Sequence, residues 1–136
     1  MFIDFEKYPF KITGVSFSFD SKDLFDSYSS ILTVETDGGK CFVFEACGEC
    51  CSCSVFRIWE NYRLERLIGK TISSIREIDV PDDFEFEEID SDDDLCLAEH
   101  LYEFKFTDSD ETFKLLLVNY SNGYYDGWMK GEVIDM

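Results

Sequence analysis

Four cysteines fall within seven residues, Cys47-x-x-Cys50-Cys51-x-Cys53, with Cys41 just upstream. Thiolates at Cys-x-x-Cys spacing can chelate zinc, but a structural site takes four ligands, ordinarily as two separated pairs. The other candidates, Cys96 and His100, lie more than forty residues further on. Cys47, Cys50, Cys51 and Cys53 are therefore the candidate metal ligands, with awkward geometry for a tetrahedral ion. The plainer reading is of small thiols that pack as hydrophobes at a strand end and helix start. We expect no metal and no other cofactor. A thiol at a helix N-terminus has a lowered pKa, so Cys51 or Cys53 is the candidate nucleophile if there is one.

His100 is the sole histidine, so any scheme that uses imidazole rests on it. A Cys–His pair in space is one option; an ordinary loop histidine is the plainer one. The chain has no glycine-rich phosphate loop, no serine-centred nucleophile elbow and no histidine-rich metal motif. The expectation is a protein that is not an enzyme.

Residues 79–94 hold ten acids and no base. Asp90, Asp92 and Asp94 have the first three spacings of a calcium loop, but Leu95 stands where that loop needs glycine and Leu101 where it needs glutamate. The calcium reading fails. What remains is a solvated, mobile acidic loop over 79–99, or a segment that presents Phe84, Phe86 and Ile89 within a negative field. Asp92, Asp93 and Asp94 would supply that field. A second aromatic cluster, Tyr124, Tyr125 and Trp128, lies between and beside the turn dipeptides Asn122-Gly123 and Asp126-Gly127. Tyrosine and tryptophan are over-used at interfaces. Phe84, Phe86, Asp92, Asp93, Asp94, Tyr124, Tyr125 and Trp128 are the candidate partner-binding set.

The elements that must position them belong to a single domain over 1–136, since 136 residues leave no room for two cores. Hydrophobic residues make up 45% and aromatics 17%, enough for a real core and too much for a disordered acidic tail. The formal charge is −18. Affinity for a phosphate backbone comes from Lys and Arg displacing counterions, so direct nucleic-acid binding is excluded, and docking on an anionic membrane with it. Acids stand where a signal peptide needs a basic start, and no apolar run approaches membrane-spanning length. The even set of cysteines then reads as reduced thiols, and the compartment expected is the cytoplasm of the host cell.

Val15–Phe19 alternate apolar and polar, the period of a half-buried strand. Residues 31–36 and 41–45 are two further strands around Asp37-Gly38-Gly39, a tight-hairpin signature. Over 54–68 the period changes. Val55, Ile58, Trp59, Tyr62, Leu64, Leu67 and Ile68 leave the charged residues on the other side, which predicts one amphipathic helix capped by Ser52 or Ser54 and ended by Gly69. Strands resume over 71–78, 101–106, 112–118 and 128–134. Thr36-Asp37 with Phe42 matches Thr107-Asp108 with Phe113 at an offset of 71, so the halves read as two pseudo-repeated β-meanders. The fold class expected is α+β, a mostly antiparallel sheet of six to eight strands with one helix.

Several segments together resemble a family of uncharacterised small phage and bacterial domains. They are Thr36-Asp37-x-Gly39 between strands, Gly48-Glu49-Cys50-Cys51-Ser52, Leu67-Ile68-Gly69-Lys70-Thr71-Ile72 and Asn119-x-Ser121-Asn122-Gly123-Tyr124-Tyr125-x-Gly127. The similarity covers roughly 27–134. In its pattern only Cys50 and Cys51 match, while Cys41, Cys47 and Cys53 look particular to this chain, which weakens the zinc idea. The resemblance implies a phage-type origin and a compact β-rich fold, and no activity.

The function expected is a non-enzymatic acidic interaction protein of phage or viral origin, monomeric or weakly dimeric. It would bind a basic surface of a host protein, such as one that handles nucleic acid, as a phosphate-backbone mimic or inhibitor. The alternative is a small-molecule or metal-binding domain that uses the Cys47–Cys53 and Tyr124–Trp128 turns.

Overall fold

The computed structural model describes residues 3–20, 29–48, 53–81, 96–121 and 126–136. Their strands are β1 (Ile12–Asp20), β2 (Ser29–Thr36), β3 (Lys40–Gly48), β4 (Cys53–Ile58), β5 (Ile72–Ile78), β6 (Cys96–Phe106), β7 (Phe113–Ser121) and β8 (Gly127–Asp135). Two four-stranded sheets result, in the orders β1-β2-β3-β8 and β4-β7-β6-β5, and every pairing is antiparallel.

Alternation builds the space between the sheets. β3 turns Phe42, Phe44 and Ala46 inward, and β7 turns Phe113, Leu115 and Leu117 inward to meet them. The centre is aromatic: Phe44 meets Phe104 edge-on at 5.3 Å, and Phe104 meets Phe113 at 5.1 Å. Such edge-to-face pairs add to the burial energy of the rings. The β2–β3 hairpin closes through Gly39 at φ +75, a conformation that side chains resist.

No α-helix forms among the described residues, so the fold is two antiparallel sheets and not α+β. Residues 54–68 are instead β4 followed by two short 3₁₀ turns, Trp59–Asn61 and Leu64–Leu67. The helical spacing misleads because β4 is buried on both faces. Phe56 points into the main core, while Val55 joins Leu101, Leu116 and Val118 in a second apolar cluster on the outer face of its sheet. A strand with two apolar faces loses its period of two. Gly69 does adopt the left-handed conformation, at φ +90, but it ends a 3₁₀ turn.

The chain runs the same route twice. β1-β2-β3 form a meander in one sheet and β4 crosses to the other; β5-β6-β7 form a meander there and β8 crosses back. Each crossing strand completes the other half's sheet, so neither half closes a four-stranded sheet alone. The segment predicted as a loop over 79–99 is partly ordered otherwise. Val80 packs on the outer apolar cluster, and residues 96–99 are strand.

Because strands alternate in direction, the connections sort by end. The β2–β3, β4–β5 and β6–β7 connections lie at one end of the sandwich, the turn end. The strand ends between β1 and β2, β3 and β4, β5 and β6, and β7 and β8 all lie at the other, the loop end.

Candidate functional site

The ribbon of β3 and β8 continues into the ribbon of β4 and β7 at the loop end. Gly48 pairs with Gly127 and Cys47 with Trp128 before the corner; Cys53 pairs with Tyr120 after it. The strands flanking the cysteine turn and the tyrosine turn are thus neighbours in both sheets. The corner has no room for a side chain at Gly127. A Cβ there would collide with Ser54 Oγ, and would sit 2.8 Å from the Cys47 carbonyl oxygen and 3.0 Å from Asn119 Nδ2. Behind it, Asn119 Nδ2 donates to Ser54 Oγ at 2.8 Å in a fully buried pair.

His100 fastens this corner to the far side of its sheet. Its Nε2 lies 2.7 Å from Asp126 Oδ1, beside β8, and its Nδ1 lies 3.1 Å from Glu77 Oε2 on β5. Burial alone would lower the His100 pKa, but the hydrogen bonds and charges of Asp126 and Glu77 outweigh it and raise the pKa. Carboxylates only accept, so both contacts are satisfied together when the ring is an imidazolium. The ring links β6 to β5 and to the start of β8. Asp126 Oδ1 also accepts from the Gly127 N–H at 2.7 Å, and Tyr102 Oη accepts from the Met129 N–H at 3.3 Å.

Of the predicted partner-binding residues, Phe84, Phe86, Asp92, Asp93, Asp94, Tyr124 and Tyr125 lie outside the described residues. Trp128 is described: it stands on the outer face of its sheet, 48% exposed. Of the metal candidates, Cys50 and Cys51 lie outside the described residues, and only the backbone of Cys53 is described. Cys47 is half-buried, and burial followed by the Glu45 charge pushes its thiol pKa up, away from the thiolate a metal needs. Among the described residues no cluster of His, Cys, Asp and Glu is placed to hold a metal ion.

Sequence reasoning missed a second site at the turn end. A cleft of about 350 Å³ opens between the turn Trp59–Arg63, Arg66, and Thr112 and Lys114 of the β7 approach. It exists because the β4–β7 ladder stops at Ile58 opposite Leu115, so Phe113 and Lys114 run on past the end of β4. The available signal was compositional: three of the four arginines, Arg57, Arg63 and Arg66, fall within ten residues of an acidic chain.

The 32% identity that this chain shares over 108 residues with the uncharacterised protein L278 of Acanthamoeba polyphaga mimivirus covers 77% of this chain and 79% of that one. The chain belongs to the family of this viral protein. A viral origin is the coarse statement this relationship suggests. No family model matches the chain, and no solved structure matches it. No helix among the described residues is long and apolar enough to cross a membrane.

Proposed function

We propose that this chain is a non-enzymatic viral interaction protein that presents the loop end of its sandwich to a basic surface of a host protein in the host cytoplasm. One observation carries the reading. The four segments that join the strand ends meeting at the loop end, 21–28, 49–52, 82–95 and 122–125, together hold twelve acids and one lysine in the sequence. Eleven of the eighteen excess negative charges therefore belong to segments whose flanking strand ends share one side of the molecule. A charge so concentrated steers a basic partner to that end and raises the association rate. Trp128, exposed on the adjoining strand, is an apolar anchor of the type that carries binding energy. No acid–base chemistry competes with this reading at His100, whose nitrogens are both engaged.

The test is affinity capture from host lysate with three proteins: the wild type, a Phe84→Ala/Phe86→Ala variant, and an Asp92→Asn/Asp93→Asn/Asp94→Asn variant. Both variants should melt close to the wild type. The aromatic variant should shed the captured partner faster, and the charge variant should capture it more slowly and with a weaker salt dependence. Capture unchanged in both would sink the proposal. Unfolding of the aromatic variant would make Phe84 and Phe86 core residues and remove them from the interface.

A further inference from the structure

We propose that the turn-end cleft is a binding site for a small aromatic anion, of the nucleoside monophosphate class. It lies at the opposite end from the strand ends that flank the acidic segments and does not involve those segments.

The walls supply the two chemistries such a ligand needs. Arg63, Arg66 and Lys114 outnumber Glu60 in the charged lining of the cleft, and neither Arg63 nor Lys114 makes an ion pair among the described residues. In a chain of thirty acids and twelve bases, a surface cation has abundant carboxylates to pair with. The neighbouring cations have done so. Glu111 accepts from Lys70 at 2.9 Å and pairs with Arg66. The Lys70 hydrogen bond, then the Lys70 and Arg66 charges, hold its carboxyl below the ordinary range. Glu111 is thereby committed, and Arg63 and Lys114 keep their charge for an incoming anion. A guanidinium and an ammonium on one cleft suit a phosphate, the first as a planar fork and the second as a point charge.

The aromatic wall is pre-set. Tyr62 packs against Phe113, 5.1 Å between ring centres, and the Arg66 guanidinium lies over its ring at 5.4 Å. Its hydroxyl donates to Glu111 at 3.2 Å; burial and the Glu111 charge push its pKa up to about 12, so it remains a donor. Trp59 lies on the other flank, half-buried against the outer apolar cluster. Between them Glu60 and Asn61 both have left-handed backbone, at φ 56 and 55. Asparagine tolerates that conformation; glutamate adopts it only at a cost in backbone strain. Strain of this kind collects at ligand sites, where it fixes the aim of neighbouring groups. Here it turns the chain so that Trp59, Tyr62 and Arg63 line one concavity.

Size selects the class. About 350 Å³ is near the lower end of small-molecule sites, which run from roughly 300 to 1,000 Å³. That admits one nucleotide, and a net charge of −18 repels a polymer of them.

The experiment is calorimetric titration of the full chain with AMP, GMP, CMP and UMP, and separately with inorganic phosphate and adenosine. At least one monophosphate should bind with a 1:1 endpoint and more tightly than either fragment. Arg63→Ala and Lys114→Ala should each weaken it about tenfold, the loss of one charge-assisted contact, at unchanged melting temperature. Lys105→Ala, outside the cleft, should leave it as it was. Absence of saturable binding up to about 10 mM, well into the weak range, would overturn the proposal. So would binding that survives both cleft substitutions, or phosphate binding as tightly as the nucleotides.

Discussion

Asp37 and Asp108 play the same part in the two halves of the chain. Asp37 Oδ1 accepts from the Lys11 N–H at 3.0 Å, and Asp108 Oδ1 accepts from the Thr71 N–H at 3.1 Å. Lys11 and Thr71 each stand immediately before the first strand of a meander, and each returns its carbonyl to the hairpin, to Asp37 N at 2.9 Å and to Thr107 N at 3.0 Å. Each of those strands then slips register at the same place, between Ile12 and Gly14 and between Ile72 and Ser74. The aspartates are the clasps that hold the first strand's entry to the hairpin of its own meander.

Removing either clasp should therefore have matching effects. Asp37→Ala should cost about 0.5–1.5 kcal/mol, and Asp108→Ala about 1–2 kcal/mol, because the Thr71 N–H is partly buried and would be left unpaired. Chemical denaturation of both single variants and the double checks this. The sites do not touch, so the double should be near-additive. A loss at one position only would mean that the shared geometry has no shared role.

The corner at Gly127 makes a sharper claim. Gly127→Ala drives a methyl group into Ser54 Oγ and against the Cys47 carbonyl, which should cost about 1–3 kcal/mol as overpacking. Ser54→Ala in the same chain should recover only part of that loss, since the Cys47 carbonyl stays in place and Asn119 loses its hydroxyl partner. Full recovery in thermal melts would show that the bend tolerates a Cβ once the hydroxyl is gone.

Much of this architecture was legible in the residues. Asp37-Gly38-Gly39 placed the first hairpin, and the 71-residue offset between Thr36-Asp37 and Thr107-Asp108 marks the pair of clasps. The helix predicted over 54–68 failed for a local reason. Val55 and Phe56 are buried on opposite faces of β4, and the Leu64–Leu67 turn carries Leu67 into the main core. Apolar residues three and four apart then arise without a helix. The site was legible in part: alternating strand direction brings the flanks of the cysteine and tyrosine turns to one corner, which spacing alone does not dictate. The turn-end cleft was illegible because it depends on where the β4–β7 ladder stops and on left-handed Glu60, a conformation that its residue type argues against.

The charge distribution predicts an unusual response to salt. With −18 on the chain, self-repulsion opposes folding. Raising NaCl from about 10 to 200 mM shortens the screening length below about 10 Å, which weakens that repulsion. Ion pairs that salt also weakens, such as Arg76–Glu103 at 3.2 Å with its arginine exposed, contribute little. The melting temperature should rise by a few degrees. A flat or falling value would mean that local pairing outweighs the net charge.

His100 predicts how stability varies with pH. Its folded-state pKa lies above the ordinary 6.5, because the Asp126 and Glu77 hydrogen bonds and charges overcome burial. A raised pKa means that the folded state holds the proton more tightly than the unfolded chain. The resulting stabilisation is complete below pH 6.5 and is lost as pH climbs through the higher folded value. For Asp126 the sign reverses. Burial alone would raise it, but His100 and the Gly127 N–H hold it below its ordinary 3.8, so its contribution is present above that value and lost in stronger acid. The clamp is thus fully engaged from about pH 4 to 6.5. His100→Gln keeps a hydrogen-bonding side chain but carries no titrating charge. In melts from pH 5 to 9 at fixed ionic strength, the wild type should exceed this variant most at pH 5–6, and the gap should narrow towards pH 9. Self-repulsion grows with pH in both proteins and cancels in the difference. A gap that stays constant or widens with pH would show that the ring is neutral in the fold, and that its two carboxylates hold it by geometry alone.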